Sequence, residues 1–96
     1  MKIPIEKFEM LISGNMHRNS FTTLSEKNRK KVLESYAIFR LLYNRTDLNQ
    51  PMLDSLLNLL HQRAHGLIFN SRTNKNVFDV YRMDKQIEEL RRGLKI

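Results

Sequence analysis

The residues best suited to chemistry in this sequence are His61 and His65, which lie one helical turn apart. That spacing allows two imidazoles to bind one metal ion. Position 62 is Gln rather than the Glu that serves as general base in a metalloprotease helix, and no third ligand is evident nearby. We therefore interpret the pair as exposed polar residues at the end of a helix, and we expect no metal site.

Other residue types that catalyse reactions are also poorly arranged. Glu88 and Glu89 are adjacent on a predicted helix, so they point in different directions and cannot act as a catalytic pair. Gly14, Gly66 and Gly93 fall where helices are predicted to end, and none forms a phosphate-binding loop. The absence of cysteine excludes thiolate catalysis, disulfides and cysteine-containing zinc sites. We expect a protein that is not an enzyme and needs no cofactor.

Length and composition indicate one domain over residues 1–96, with 41% hydrophobic and 28% charged residues. A chain of this size buries roughly 60 to 65% of its unfolded surface, which suffices for one modest core and not for a deep cleft. Seventeen Lys and Arg against ten Asp and Glu give a net charge of +7, so partners are expected to be polyanions such as nucleic acid, acidic proteins or anionic lipid. Since no secretory signal and no run of ~18 apolar residues is present, we expect a cytoplasmic protein with no membrane partner.

Apolar spacing predicts two helices in the first half of the chain. A short helix over about 4–12 begins at Pro4, which suits a first helical turn. A longer helix over about 24–44 follows a capping box that starts at Thr23. From Val32 onward this helix is apolar on most sides, so we predict that it is the central helix.

A third helix is predicted over residues 50–64, with Asn49 or Gln50 as its cap and Gly66 as its end. Its predicted inner face carries Leu53, Leu56, Leu57, Leu60 and Ala64. Its predicted outer face carries Asp54, Ser55, Asn58, Gln62 and His65.

Residues 67–81 are open to two interpretations. The β-branched and aromatic residues of 67–69 and 77–81, separated by a turn-rich segment, favour a two-stranded β-hairpin with a long loop. Apolar residues at helical spacing from Val77 onward favour a helix instead. We predict the hairpin, followed by a helix over 83–94. The predicted fold is therefore mainly α, with four helices and a small hairpin, and the alternative is an all-α bundle.

Basic residues gather at four places along the chain. These clusters are His17 and Arg18; Lys27, Arg29, Lys30 and Lys31; Arg72 and Lys75; and Arg91, Arg92 and Lys95. If the hairpin forms, the third cluster lies on a loop that can contact phosphates beside a helix bound in a DNA groove.

The stretch from Leu48 to Leu60, followed by Gly66-Leu67-Ile68, a polar turn and residues 77–81, resembles the recognition helix and wing of winged helix-turn-helix DNA-binding domains. This superfamily includes small bacterial repressors, and the resemblance covers residues 32–83. It implies double-stranded DNA binding in transcriptional or replication control. By this resemblance Gln50, Ser55, Asn58 and Gln62 would face bases, and Arg72 and Lys75 would be wing residues. We also expect Lys27, Arg29, Lys30 and Lys31 to contact DNA.

Other functions remain open. The chain is also interpretable as a small basic helical interaction protein, such as an accessory or inhibitor factor of a phage or plasmid, that binds an acidic protein partner. A third interpretation is RNA binding through residues 27–31. We expect a homodimer formed through Ile87, Leu90 and Leu94, because they exceed what a small monomeric core must bury. A helix in place of the hairpin would remove the wing and most of the argument for DNA.

Overall fold

A computed structural model describes residues 3–13, 24–69 and 77–96 of the chain. The described part contains the helices α1 (Ile5–Ser13), α2 (Glu26–Leu42), α3 (Gln50–Phe69) and α4 (Val77–Leu94). It contains no β-strand. The alternative interpretation, an all-α bundle, is therefore the observed fold.

The predicted two-stranded hairpin is wrong. α3 continues through Gly66, and α4 begins at Val77, so both predicted strands are helical, while the predicted loop over 70–76 lies outside the described residues. The reason is burial, since Leu67 and Ile68 extend the inner face of α3 and are 8% and 1% exposed. A glycine in a helix costs about 1 kcal/mol relative to alanine. Burying one Leu or Ile side chain contributes about 1.5 to 3 kcal/mol, so the helix continues past the glycine.

The central helix is α3, and the prediction that α2 holds this place is wrong. α3 packs against α1, α2 and α4. Its predicted inner face is confirmed, because Leu53, Leu56, Leu57, Leu60 and Ala64 are all buried. α2 buries only Val32, Ser35, Phe39 and Leu42, so it contacts its neighbours along one stripe.

The short helix α1 is held against α2 and α3 by Phe8, which is fully buried. The centroid of its ring lies 5.3 Å from that of Tyr36, 5.0 Å from that of Phe39 and 5.6 Å from that of His61. The Tyr36 hydroxyl donates a hydrogen bond to Glu9 Oε2 at 3.0 Å. Tilted and edge-to-face ring pairs at these distances are favourable. One aromatic side chain inserted between two longer helices thus fixes the position of a short one.

Hydrogen bonds at helix starts correct one predicted boundary and confirm another. Ser25 is the cap of α2, because its Oγ accepts a hydrogen bond from the Asn28 amide at 3.2 Å. The helix therefore begins later than the capping box at Thr23 predicts, and Thr23 itself lies outside the described residues. Of the two predicted caps of α3, Asn49 is the observed one, since its Oδ1 accepts from the Met52 amide at 3.1 Å.

Candidate interaction surface

The polar face of α3 is exposed as predicted, but one of the four side chains expected to read bases is already engaged. The exposed residues are Ser55, Asn58 and Gln62. Gln50 Nε2 donates hydrogen bonds to the backbone oxygens of Leu48 at 2.9 Å and Arg45 at 3.2 Å. Contact between this amide and a base would require breaking bonds that hold the loop before α3.

The same loop is braced by Arg45 and Asp47. Arg45 Nε donates to Asp47 Oδ1 at 2.8 Å, and Arg45 Nη2 donates to Oδ2 at 2.5 Å. These hydrogen bonds from the guanidinium lower the pKa of Asp47 to about 2. Arg45 is therefore occupied within the turn that connects α2 to α3.

The start of α2 is basic and mostly exposed. Lys27, Arg29 and Lys30 are exposed and Lys31 is half-buried. Lys30 Nζ lies 3.9 Å from Glu26 Oε1, and both side chains are more than three-quarters exposed, so this ion pair contributes little. α2 and α3 pack against each other, and the Lys31 carbonyl oxygen accepts a hydrogen bond from Arg63 of α3. Arg72 and Lys75, the predicted wing residues, lie outside the described residues.

Arg63 joins three helices, a role that the sequence analysis missed. Arg63 is 8% exposed. Its Nη1 donates hydrogen bonds to Ser35 Oγ at 2.6 Å and to the Lys31 carbonyl oxygen at 3.2 Å, both on α2. On the other flank, Arg63 Nε lies 2.6 Å from Asp84 Oδ1 of α4 in an ion pair that lacks hydrogen-bond geometry. The planar guanidinium therefore contacts α2 and α4 at once and fixes their separation across α3.

The apolar residues of α4 that were expected to join two copies are largely used within one chain. Ile87 and Leu94 are each 7% exposed and belong to the core, and Leu90 is half-buried against it. Ile87 and Leu94 consequently have almost no exposed area left for a second copy. Homodimerisation itself stays a prediction.

An exposed apolar stripe runs along α2. Leu33 is 46% exposed and Leu41 is 77% exposed, and Ala37 between them is exposed as well. Residues at four-residue spacing lie on one side of a helix. The exposed charged residues on the same side are Arg29, Lys30 and Arg40, together with Glu26, the ion-pair partner of Lys30. We call Leu33, Ala37, Leu41 and the three cations the α2 face.

The sequence analysis counted the apolar residues of the α2 face among the buried ones, although a signal for their exposure was present. Leu33, Ala37 and Leu41 form one stripe, and Val32 and Phe39 belong to another. The stripe interspersed with cations is the one that faces solvent, because Lys and Arg are almost never fully buried unless they are paired.

A groove of about 410 Å³ lies between α2 and α4. Its base includes Leu60 and Ile87, its α2 wall includes Glu34 and Ile38, and its α4 wall includes Lys85, Glu88 and Arg91. Ile38 and Leu41 are three residues apart on α2, so the groove adjoins the α2 face.

Of the histidine pair on α3, His61 is half-buried against α1, and His65 is exposed as predicted. His61 packs edge-on against Phe8, and the ring centroids of His61 and His65 are 6.4 Å apart. Burial lowers the pKa of His61, and the nearby positive charges of His65 and Lys7 lower it further. Among the described residues, no three or more histidine or carboxylate side chains come together as metal ligands. His61 is thus a neutral ring in an aromatic cluster at pH 7.

Comparison with protein-family models, with curated proteins and with solved structures finds no match for this chain. Within residues 3–13, 24–69 and 77–96, no helix is both long and apolar enough to cross a membrane. The function is therefore inferred from the α2 face.

Proposed function

We propose that this protein is a small basic interaction protein that binds an acidic protein partner through the α2 face. The observation that carries the proposal is the exposure of Leu33 and Leu41 on the side of α2 that also carries cations. Protein interfaces combine an apolar centre with a polar rim. The α2 face has this arrangement on a single helix.

Burial of the apolar stripe would contribute free energy to binding a protein. Fully burying an exposed leucine contributes about 1.5 to 3 kcal/mol, before the costs of association are subtracted. Leu33 and Leu41 are the exposed large apolar side chains of α2. Phosphate recognition gains nothing from them, because it depends on cations and hydrogen-bond donors.

The net positive charge of the chain favours a partner with negative charge. A net charge of +7 attracts acidic surfaces and repels a second copy of the same chain. Arg29, Lys30 and Arg40 place part of that charge beside the leucines. Complementary charges at an interface rim accelerate association and exclude wrong partners.

Nucleic-acid binding is the second candidate function, and the net charge favours it. The resemblance to winged-helix domains depended on a β-hairpin, and the residues flanking 70–76 are helical instead. Gln50, one of the four side chains expected to face bases, is engaged with the loop before α3. What remains is a sequence-independent attraction between cations and phosphates, for duplex DNA and for RNA alike.

A selection experiment tests the proposal without a known partner. The full chain is immobilised and a displayed library of helical peptides of varied charge is selected for binding, with counter-selection against Leu33→Ser/Leu41→Ser. We expect enrichment of acidic peptides with an apolar face. Their binding should weaken in Arg40→Gln and not in Arg92→Gln, a matched control because Arg92 is also an exposed helical arginine.

Two results would contradict the proposal. One is the enrichment of peptides that bind wild type and the double serine variant equally well. The other is the enrichment of no peptide, together with salt-dependent binding of a short DNA duplex or single-stranded RNA that both serines leave unchanged. The latter result would favour the nucleic-acid candidate.

A further inference from the structure

We infer that α1 is a releasable helix: it separates from α2 and α3 as a unit while the three longer helices stay packed, and protonation of His61 favours the separated state. The device lies on the side of the bundle that α1 covers. It goes beyond the proposed function and does not depend on the α2 face binding a partner.

α1 depends on its neighbours for its structure. It has 9 residues, and isolated helices shorter than about 12 to 15 residues are marginal in water. Phe8 is its one buried residue, and Ile5, Leu11 and Ile12 are partly buried against the core. α1 is therefore expected to lose its helical structure when Phe8 leaves its place among the rings of α2 and α3.

The three longer helices are held together by contacts that do not involve α1. α3 packs much more extensively on α2 and α4 than on α1. Arg63 of α3 also contacts Ser35 of α2 and Asp84 of α4. Elements with few buried contacts open at a lower free energy than the whole structure, so α1 is expected to separate before α2, α3 and α4 come apart.

His61 lies where a positive charge would oppose the packing of α1. Its ring is half-buried and meets the Phe8 ring edge to face, at 83° and with the centroids 5.6 Å apart. Burial disfavours the charged form of an imidazole. When Phe8 leaves, water regains access to this side of the ring, so the separated state takes up a proton more readily than the packed state.

The positive charges around His61 strengthen this preference. The ionisable groups that face the aromatic cluster are Lys7 and Glu9 of α1, Tyr36 and Arg40 of α2, and His65 of α3. Burial lowers the pKa of His61 in the packed state, and the positive charges of His65 and Lys7 lower it further. The Glu9 carboxylate accepts the hydrogen bond of the Tyr36 hydroxyl. A proton on His61 is therefore repelled by Lys7, and separation of α1 relieves this repulsion.

Separation of α1 would uncover an aromatic surface. Phe8 packs on the rings of Tyr36, Phe39 and His61. This surface adjoins the α2 face at Arg40, which lies beside the Tyr36 hydroxyl. Opening therefore extends the exposed apolar surface of α2 toward α3.

Amide hydrogen exchange, followed by NMR on the full chain, tests the device. Division by the intrinsic exchange rate at each pH gives the equilibrium constant for opening of each helix. We expect the hydrogen-bonded amides of α1 to share one opening constant that is larger than that of α3 and less sensitive to urea, because local opening exposes less surface. As pH falls from 6.5 to the folded pKa of His61, the α1 constant should rise by up to about tenfold for each pH unit.

Three variants assign the proton. His61→Gln removes the titrating group and should abolish the rise. Lys7→Gln removes one neighbouring positive charge, so His61 is protonated more readily in the packed state and the rise should be smaller. The matched control Lys27→Gln removes the same charge from an exposed position of α2 and should leave the rise as in wild type.

Four results would overturn the inference. If α1 and α3 share one opening constant and one urea dependence, α1 unfolds only with the whole chain. An α1 constant that does not change with pH, or a full rise in His61→Gln, would show that protonation of His61 does not release α1. An α1 constant that falls on acidification would show that the Phe8 ring holds the imidazolium as a cation. None of these results bears on the α2 face, whose test uses Leu33→Ser/Leu41→Ser.

Discussion

Arg63 Nε lies 2.6 Å from Asp84 Oδ1, and this pair joins α3 to α4 where Arg63 also donates hydrogen bonds to α2. The Arg63 side chain is 10% exposed and that of Asp84 is 39% exposed, and both residues line the groove between α2 and α4. A single guanidinium thus contacts both helices that form this groove.

Asp84→Asn is expected to lower the free energy of unfolding by about 1 to 3 kcal/mol, because a nearly buried cation loses its carboxylate partner. Glu89→Gln removes the same charge from an exposed position of α4. This control should change stability by no more than about 0.5 kcal/mol. Urea unfolding followed by circular dichroism measures both, and equal effects would show that the ion pair contributes nothing specific.

The inner face of α3 provides a second stability test. Leu57 and Leu60 are 0% and 1% exposed, whereas Asn58 between them is exposed. Leu57→Ala and Leu60→Ala should each lower the free energy of unfolding by about 2 to 5 kcal/mol. Asn58→Ala should cost little, and a loss similar to that of the leucines would contradict the assigned orientation of α3.

The parts of the fold that sequence predicts well are those where one strong pattern acts alone. α3 repeats leucine at three- and four-residue steps from Leu53 to Leu60, and its two faces are predicted correctly. Its cap is predicted to within two residues, Asn49 or Gln50, and Asn49 is the one whose side chain satisfies a backbone amide within the same turn. The spacing of the leucines is sufficient to predict the two faces of α3, and a hydrogen bond within one turn is sufficient to predict its cap.

The errors arise where tertiary contacts decide between two acceptable local structures. Gly66 is a typical helix end, yet the burial of Leu67 and Ile68 continues α3 beyond it. In α2, apolar residues occupy most of the circumference, so their spacing in the sequence cannot identify the side of the helix that packs against α3. The contact of Arg63 with Asp84 and Ser35 joins residues far apart in sequence. No local pattern predicts such a contact.

Gly66→Ala distinguishes the observed helix from the hairpin that the sequence favours. In a continuous α3, alanine is the better helix former and should raise the free energy of unfolding by about 0.5 to 1 kcal/mol. If Gly66 instead ended the helix in a left-handed conformation, alanine would be strained there and stability would fall. The sign of the change in a urea titration decides between the two structures.

The C-terminal end of α4 contains a backbone strain that can be relieved. Lys95 has φ of 60°, and around it the Ile96 amide donates to the Arg91 oxygen at 3.0 Å and the Lys95 amide to the Arg92 oxygen at 3.1 Å. Glycine adopts this left-handed conformation without steric cost. Lys95→Gly should therefore raise the melting temperature, whereas the matched change Lys85→Gly, inside α4, should lower stability by about 1 kcal/mol.

The pH dependence of stability is expected to report on the contact between His61 and Phe8. Burial of His61, with the positive charges of His65 and Lys7, lowers the folded-state pKa below the ordinary value of 6.5. Above that value the imidazole is neutral in both states and contributes no pH dependence. As pH falls from 6.5 to the folded pKa, the unfolded chain takes up the proton first, so stability is lost over this window.

His61→Gln removes this titration and tests its assignment to the aromatic cluster. The pKa of Asp47 is about 2 and lies below the window, so its titration does not obscure that of His61. Urea unfolding at about pH 7.5 and about pH 5.5 should show a loss of stability for wild type that is smaller in the variant. An unchanged loss would assign the pH dependence to other groups. Stability that rises as pH falls would contradict the burial of a neutral His61 beneath α1.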